Sequence, residues 1–273
     1  MFFFKQKTAS ESVFGDWSSN VCSSDLDAIQ LAAAIVKLPG YHDEGGAKNV
    51  ARRDGMGTVL LNAVEEIGTV PEHYFQAVGS GTGGIAAWEM MKRLHADGRF
   101  GSATMRLHLA QSTPFTPMTE AWTDHRRDLP EWEPEKAKRR ALAVHAPVLS
   151  NRKPPYALIG GLYDALCDTG GAMYAIGHEQ AQQAGALFAE LEGCDLDPAA
   201  EVAVAALVEA RQKQLLDPAQ TILLNITGGG YQRARRDGLP IPAQPDVVVS
   251  PAEFLDGRDR KSTRLNSSHR IRY

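Results

Sequence analysis

The residues with the clearest capacity for chemistry form a glycine-rich run, Gly79-Ser-Gly-Thr-Gly-Gly84. The run follows a short, β-prone apolar segment, Tyr74 to Val78, and precedes apolar residues at helical spacing from Ile85 to Leu94. Glycines allow consecutive backbone N–H groups to converge on one point, and the positive end of the following helix faces the same point. Ser80 and Thr82 add hydroxyl donors. The sequence therefore predicts a strand, a loop and a helix that together bind a phosphate group.

The residues around the loop indicate which kind of phosphate ligand it could bind. Gly79, Gly81 and Gly84 match the G-x-G-x-x-G spacing of dinucleotide sites. Such a site also needs an acidic residue about 20 positions on, at the end of the next strand. Here the next predicted strand, Met105 to Ala110, runs into Gln111-Ser-Thr113 without a carboxylate. No Gly-Lys-Ser/Thr follows either, which excludes a Walker loop. With dinucleotide and Walker sites disfavoured, the loop fits a single compact phosphate, such as that of pyridoxal phosphate. The alternative is a tight turn that binds no ligand.

Composition excludes several classes of function. The chain has 273 residues, with 29 Lys and Arg against 33 Asp and Glu, and it has no basic run, so we expect no nucleic-acid partner. No apolar stretch of about 18 residues is present, so we expect no membrane partner. Cys167 and Cys194 are far apart and form no C-x-x-C motif. We therefore expect no metal site and a cytoplasmic location.

The two ends of the chain differ from the rest. Residues 1–26 and 261–273 resemble translated sequencing-adapter DNA, and neither has the period of a core helix or strand. We expect both segments to be foreign flanks that make few buried contacts. The genuine segment is then 27–260, and it is more acidic than the whole chain.

Within that segment, predicted strands and helices alternate, which indicates an α/β fold with a mostly parallel sheet. The predicted strands are 74–78, 105–110, 173–176 and 219–226. The predicted helices are 27–38, 57–67, 85–94, 118–127, 135–145, 159–167, 178–191 and 198–215, the last of which has Asp197 as its cap.

Three motifs in a fixed order carry a family resemblance: Gly79-Ser-Gly-Thr-Gly-Gly84, Asp197-Pro-Ala-Ala-Glu201 and Asn225-Ile-Thr-Gly-Gly-Gly230. They resemble fold-type II pyridoxal-phosphate enzymes, the group of threonine synthase, cysteine synthase and the tryptophan synthase β chain. The resemblance implies a three-layer αβα fold like that of the tryptophan synthase β chain. It also implies pyridoxal 5'-phosphate as cofactor, with its phosphate at Gly79, Ser80, Gly81, Thr82 and Gly83 and its pyridine nitrogen at the Thr227 hydroxyl. We then expect the strand ends at Val78 and Ile226 to lie side by side.

Longer phrases resemble the cysteate synthases, relatives of threonine synthase; they are residues 41–55, 74–89, 148–156 and 224–230. This resemblance implies that O-phospho-L-serine and sulfite are converted into L-cysteate and phosphate, by an enzyme that is a homo-oligomer when full length. Anionic substrates need cationic partners, and the candidates are Lys48, Arg52, Arg53, Arg152 and Lys153.

Other functions stay open at this point. Threonine synthase, acting on phosphohomoserine, and cysteine synthase share the same motifs. A non-catalytic relative with a pyridoxal-phosphate domain is a third alternative. A nucleotide-binding oxidoreductase is a further alternative. The absence of an acidic side chain that could bind the ribose argues against it.

The chain departs from the family at the catalytic lysine. The lysine that holds the cofactor as a Schiff base precedes the phosphate loop by more residues than segment 27–78 contains. Lys37 and Lys48 are the lysines in that segment, and neither matches it: Lys37 falls at a predicted helix end, and Lys48 matches a different family lysine. We therefore expect the chain to be the C-terminal part of the catalytic domain, incomplete at its N-terminus, without a catalytic residue of its own and inactive.

Overall fold

The computed structural model describes residues 2–5, 36–37, 40, 42, 45–151 and 154–239, with only the backbone described for 2–5. The chain divides into two units. One unit, Met1–Ser12 with Glu44–Pro240, contains every strand and helix named below. The other unit is Val13–Asp43 with Ile241–Tyr273, and its described residues include turns at 36–37 and at residue 40.

The described part of the chain forms one parallel sheet of five strands in the order β1-β5-β2-β3-β4. Every pair of neighbours in this sheet is parallel. The strands are β1 (Phe2–Lys5), β2 (His73–Ala77), β3 (Arg106–Ser112), β4 (Ala172–Ile176) and β5 (Ile222–Ile226).

Helices connect these strands, as parallel pairing requires. They are α1 (Val50–Ile67), α2 (Thr82–Asp97), α3 (Pro117–Thr123), α4 (Pro134–Leu142), α5 (Leu162–Thr169), α6 (His178–Glu192), α7 (Pro198–Gln212) and α8 (Tyr231–Arg236). Two 3-10 turns lie at Gly46–Lys48 and Pro147–Leu149. Side-chain caps define where α1 and α7 begin. The Asn49 amide oxygen accepts the Arg52 N–H, and the Asp197 carboxylate accepts the Ala200 N–H.

The sheet is covered on both faces, which gives the three-layer αβα arrangement. Tyr74, Leu109 and Leu223 lie in one core cluster with residues of α1, α2 and α5. Phe75 and Leu224, which follow on the opposite face, lie in a second cluster with residues of α6 and α7. All five residues of β2 are buried, as expected for a central strand of a parallel sheet.

The amino-terminal flank corrects one expectation. The backbone of Phe2–Lys5 pairs with β5 in parallel, with Phe2 opposite Leu223 and Lys5 opposite Ile226. The flank was expected to make few buried contacts, and the backbone of Phe2–Lys5 instead forms an edge strand of the sheet. Without β1, β5 would present unpaired N–H and C=O groups along its edge, and a β-prone segment covers them readily. The rest of both flanks, and most of the predicted helix 27–38, lie outside the described residues.

The interior of the sheet holds an unexpected chain of polar side chains at His73, His108, Tyr174 and Gln220. His73 Nε2 lies 2.8 Å from Gln220 Oε1, and Gln220 Oε1 also accepts the Asp217 N–H, which identifies it as the oxygen. His73 Nε2 must then carry a proton, so His73 Nδ1 accepts from His108 Nε2 at 2.9 Å. His108 Nδ1 in turn accepts from the Tyr174 hydroxyl at 2.7 Å. Each hydrogen bond in this chain of side chains is thereby assigned a donor and an acceptor.

Burial lowers the pKa of His108 to about 3, with the neighbouring His73 and Arg106 acting in the same direction. A histidine whose folded pKa lies below its unfolded value stabilises the fold fully above the unfolded pKa, and that contribution is lost as the pH falls towards the folded pKa. Replacing His108→Gln, which cannot titrate, removes this dependence. We expect the gap in unfolding free energy between wild type and this variant to shrink by roughly 3 kcal/mol between about pH 7 and pH 4. Urea unfolding across that range measures the gap, and a gap that stays constant would contradict the assignment.

Candidate functional site

The two glycine turns lie at one edge of the sheet. β2 and β5 are neighbours, with His73 opposite Ile222 and Phe75 opposite Leu224. Their carboxyl ends therefore open at the same edge, with Gly79–Gly84, here called the glycine loop, after β2 and Thr227 after β5. The expectation that these strand ends lie side by side is confirmed.

The four glycines of the glycine loop are packed so closely that a side chain at any of them is excluded. A Cβ on Gly79 would lie 3.1 Å from the carbonyl oxygen of Val148, in the 3-10 turn after α4. Gly81 caps α2 with a φ of +82°, and a Cβ there would lie 2.6 Å from Leu162 Cδ2 at the start of α5. Gly81 therefore needs both the left-handed backbone and the missing side chain.

The next two glycines contact the sheet itself. A Cβ on Gly83 would overlap the carboxamide of Gln76, which projects from β2. A Cβ on Gly84 would lie 2.8 Å from Leu109 Cδ1 on β3. The first turn of α2 consequently lies directly on the ends of β2 and β3.

This geometry gives the loop a set of hydrogen-bond donors. The first backbone bond of α2 runs from Ile85 N–H to the Gly81 carbonyl at 3.1 Å, so the N–H groups of Gly83 and Gly84 lie at the open end of the helix. The Thr82 N–H donates to Ser80 Oγ at 3.4 Å. The Ser80 and Thr82 hydroxyl oxygens are 2.9 Å apart, so one hydroxyl proton is used between them and the other stays available. Donors at the positive end of a 16-residue helix suit a phosphate.

The second turn is positioned by the start of α7. Gly230 N–H donates to the Asp195 carbonyl at 2.7 Å, and Asp197 N–H donates to the Gly228 carbonyl at 3.2 Å. A Cβ on Gly228 would overlap the Asp197 carboxylate. Thr227 is exposed, so its hydroxyl is accessible to a ligand at this edge.

A buried polar network lies beneath the glycine loop, and sequence reasoning missed it. Asn225 Nδ2 donates to the Tyr74 hydroxyl, which donates to Gln76 Oε1, each at 2.9 Å. Burial raises the pKa of Tyr74 above its usual range, so this hydroxyl stays a donor. The available signal was a polar residue within each of two buried strands, Gln76 in β2 and Asn225 in β5.

Gln111 is a second buried amide at this edge, at the end of β3. Its oxygen accepts the N–H groups of Met118 at 2.9 Å and Thr119 at 3.0 Å, which orients the carboxamide. Its Nε2 is buried and has no partner among the residues that the structure describes. In the sequence, this position is distinguished only by the lack of a carboxylate.

The predicted cationic residues are not gathered at the loop. Arg53 donates to Glu89 at 2.8 Å and to the Ala47 carbonyl at 2.5 Å, so it joins the turn before α1 to α2. Glu89 lies two turns along α2 from Thr82, roughly 10 Å away at 1.5 Å per residue. Lys48 and Arg52 belong to this same exposed region at the start of α1. Arg152 and Lys153 lie outside the described residues.

The described ranges also bear on metal binding and on membrane insertion. Within them, no cluster of three or more His, Cys, Asp or Glu side chains is arranged to hold a metal ion. No helix there is both long enough and apolar enough to cross a membrane.

Comparison with known proteins defines the class. A family model described as pyridoxal-phosphate dependent enzyme matches residues 17–228. The chain belongs to this family, whose cofactor is pyridoxal phosphate, and the αβα arrangement confirms the expected fold class. The match begins at residue 17, inside the segment expected to be a foreign flank, so the boundary at residue 27 stays a proposal.

The more specific resemblance is confirmed by curated relatives, all named cysteate synthase. The chain is 54% identical to that of Methanosarcina acetivorans over 225 residues, which cover 82% of this chain and 54% of the relative. It is 55% identical to that of Methanosarcina barkeri over 212 residues, covering 77% and 51%. It is 50% identical to that of Methanoculleus marisnigri over 239 residues, covering 87% and 56%. The chain therefore spans about half the length of the curated relatives it matches.

Solved structures of similar fold include a serine racemase from Dictyostelium discoideum, with a TM-score of 0.45 and 12% identity over 64% of this chain and 48% of that one. A fungal L-serine ammonia-lyase from Rhizomucor miehei has a TM-score of 0.48 and 14% identity over 68% of this chain and 55% of that one.

The packing of the glycine loop predicts a contrast between the two caps of α2. Gly81 and Gly98 both have left-handed backbones, with φ of +82° and +79°, but a Cβ on Gly98 would have no atom within 4 Å. We expect Gly98→Ala to cost about 1 kcal/mol of unfolding free energy, from backbone strain alone. Gly81→Ala should cost about 2 kcal/mol more, because it also overlaps Leu162.

Urea denaturation of both variants measures the difference. Adding Leu162→Ala to each variant should recover part of the cost for Gly81→Ala and none for Gly98→Ala. Equal costs for the two glycine variants would contradict the described packing.

Proposed function

We propose that this chain forms part of an enzyme that converts O-phospho-L-serine and sulfite into L-cysteate and phosphate, with pyridoxal phosphate held at the glycine loop. The observation that carries the proposal is this donor-lined loop in a chain that is 54% identical to a protein named cysteate synthase. The relatives supply the reaction, and the geometry of the loop supports the cofactor's place.

The residues present fit the cofactor. The N–H groups of Gly83 and Gly84, with one hydroxyl proton of the Ser80–Thr82 pair, would bind the phosphate oxygens. Gly79 and Gly81 allow the loop to pack closely against Val148 and Leu162, which holds these donors in place. Pyridoxal phosphate, when bound, supplies an electron sink for chemistry at the amino-acid substrate.

Thr227 would hold the other end of the cofactor. It follows β5, whose neighbour β2 leads into the glycine loop, and adjacent strands lie about 4.8 Å apart. Its hydroxyl can donate a hydrogen bond to the pyridine nitrogen without transferring a proton. A hydroxyl, unlike a carboxylate, leaves that nitrogen unprotonated, and this favours elimination of a β substituent.

The proposed reaction is a replacement at the β carbon of phosphoserine. The α proton is removed, the bond from Cβ to oxygen breaks, and the phosphate leaves with that electron pair. The lone pair on the sulfur of sulfite forms the new C–S bond, and a proton returns to the α carbon. Both reactants are anions, so cations must bind them.

Lys48, Arg52, Arg152 and Lys153 are the proposed cations for these substrates. Lys48 and Arg52 lie near the start of α1, which contacts α2 about two helical turns from Thr82. This distance favours Arg152 and Lys153 as the cations that bind the substrates. Arg152 and Lys153 follow in sequence the Pro147–Leu149 turn, and the carbonyl of Val148 in that turn lies against Gly79.

Substrate choice can be measured by combining this chain with the part of the Methanosarcina acetivorans cysteate synthase that has no counterpart here. We expect phosphate release from phosphoserine that depends on sulfite and yields cysteate. The chain and the complementing part, each alone, serve as controls. Threonine formed from phosphohomoserine and water, with no reaction of phosphoserine and sulfite, would reassign the function to threonine synthase; cysteine formed from acetylserine and sulfide would reassign it to cysteine synthase.

The 273-residue chain by itself should not turn over phosphoserine. The resemblance places the Schiff-base lysine at none of its lysines, and groups that act as a catalytic unit are not partly dispensable. Lys37 and Lys48 are both exposed, as expected for solvated charges. Borohydride reduction in the presence of the cofactor, followed by mass analysis of peptides, should show no specific incorporation. Turnover by the chain alone that is abolished by Lys37→Ala or Lys48→Ala would refute this expectation.

A further inference from the structure

The carboxamide of Gln76 is a polar group of the sheet that lies against the glycine loop. Gln76 belongs to the central strand β2 and is only 8% exposed. Its amide group occupies the space that a Cβ of Gly83 would fill. It therefore lies against the first turn of α2, at Gly83.

The orientation of this carboxamide is fixed by the network below it. Asn225 Nδ2 donates to the Tyr74 hydroxyl, so the hydroxyl proton is directed onward to Gln76 Oε1. Tyr74 is 1% exposed and its pKa is raised by burial, so it does not become an acceptor by ionising. Oε1 is consequently the atom that Tyr74 binds, and Nε2 is the atom left over.

Nε2 of Gln76 carries two N–H donors, and no acceptor for them is found among the residues that the structure describes. The Gln76 side chain is 8% exposed, so these donors remain available to a ligand that reaches the glycine loop. The open end of α2 is the adjacent feature that attracts an acceptor, because the helix dipole and the free N–H groups favour an anion there.

We propose that Gln76 is a side-chain donor for the oxyanion bound at the glycine loop, and that the Asn225–Tyr74 pair orients it for this role. The proposal rests on the proposed function, since it assumes a phosphate at the loop, and it adds a residue that the glycine motif does not contain. A glutamate at this place would set a negative charge against the phosphate. Gln76 therefore makes the site selective for ligands that carry an oxyanion.

The sharpest variant is Gln76→Glu. It keeps the shape of the side chain and an oxygen for the Tyr74 hydroxyl, and it replaces the donor nitrogen by an anionic oxygen. Gln180→Glu is the matched control: it adds the same charge and keeps an oxygen for the Gly177 N–H, which Gln180 accepts at 2.9 Å. Gln180 lies on α6, whose buried residues belong to the cluster on the opposite face of the sheet from α2.

The probes are deoxypyridoxine phosphate and deoxypyridoxine, which differ only in the phosphate and lack the aldehyde that reacts with surface lysines. Calorimetric or fluorescence titration of the full 273-residue chain gives the affinity for each. We expect the wild type to prefer the phosphorylated probe. Gln76→Glu should weaken binding of that probe by about 10- to 100-fold, as for the loss of a hydrogen bond to a charged group, and leave the other probe unaffected. Gln180→Glu should match the wild type.

Tyr74→Phe is a second, independent variant, and it decides the matter if Gln76→Glu does not fold, as judged by circular dichroism. It removes the bond that orients the carboxamide and adds no charge. We expect it to reduce the preference for the phosphorylated probe by several fold.

The outcomes separate this inference from the proposed function. A wild-type preference for the phosphorylated probe that persists unchanged in folded Gln76→Glu, or in Tyr74→Phe, overturns the role of Gln76 and leaves the phosphate loop intact. A wild type with no preference for the phosphorylated probe overturns both. An equal loss of affinity for both probes shows that Gln76 is only structural and also overturns the inference.

Discussion

The close packing of the four glycines in the glycine loop is the constraint on which the site depends. Four glycines of the loop each lie against a different element: the 3-10 turn after α4, the start of α5, β2 and β3. A Cβ at any of these positions would meet an atom at 3.1 Å or less. The loop can therefore adopt its shape only when these four elements are in place, and the shape in turn directs the first N–H groups of α2 outward.

Close packing at a glycine also shapes the second turn, which contains Thr227. Gly228 leaves room for the carboxylate of Asp197, which also caps α7 through the Ala200 N–H. Thr227 is thus held by the same residue that starts the helix covering the opposite face of the sheet. Since β5 pairs with β2, backbone hydrogen bonds place the two strands side by side, and the packing of Gly228 against Asp197 shapes the turn that follows β5.

The glycine loop, the Thr227 turn and their adjacency were predictable, because they follow from local spacing and from the rule that parallel strands end at one edge. The start of α1 was not, because its cap, Asn49, precedes the stretch with helical periodicity. In the sequence, Gln76 and Asn225 are polar residues within apolar strands, and their importance appears only in the structure, where Tyr74 joins them across two strands.

Arg53 shows the opposite case: its charge suited an anionic substrate, but in the fold it pairs with Glu89. β1 was missed because its pairing depends on an exposed edge of β5, which no local pattern in residues 1–26 reveals.

The most direct test of the account is a crystal structure of this chain grown with pyridoxal phosphate. The phosphate should lie at the open end of α2, with its oxygens within about 3 Å of backbone N–H groups of the glycine loop. The pyridine ring should extend towards the Thr227 hydroxyl at the end of β5. A phosphate bound away from Gly79–Gly84, or a loop whose N–H groups are turned from the ligand, would contradict the central claim.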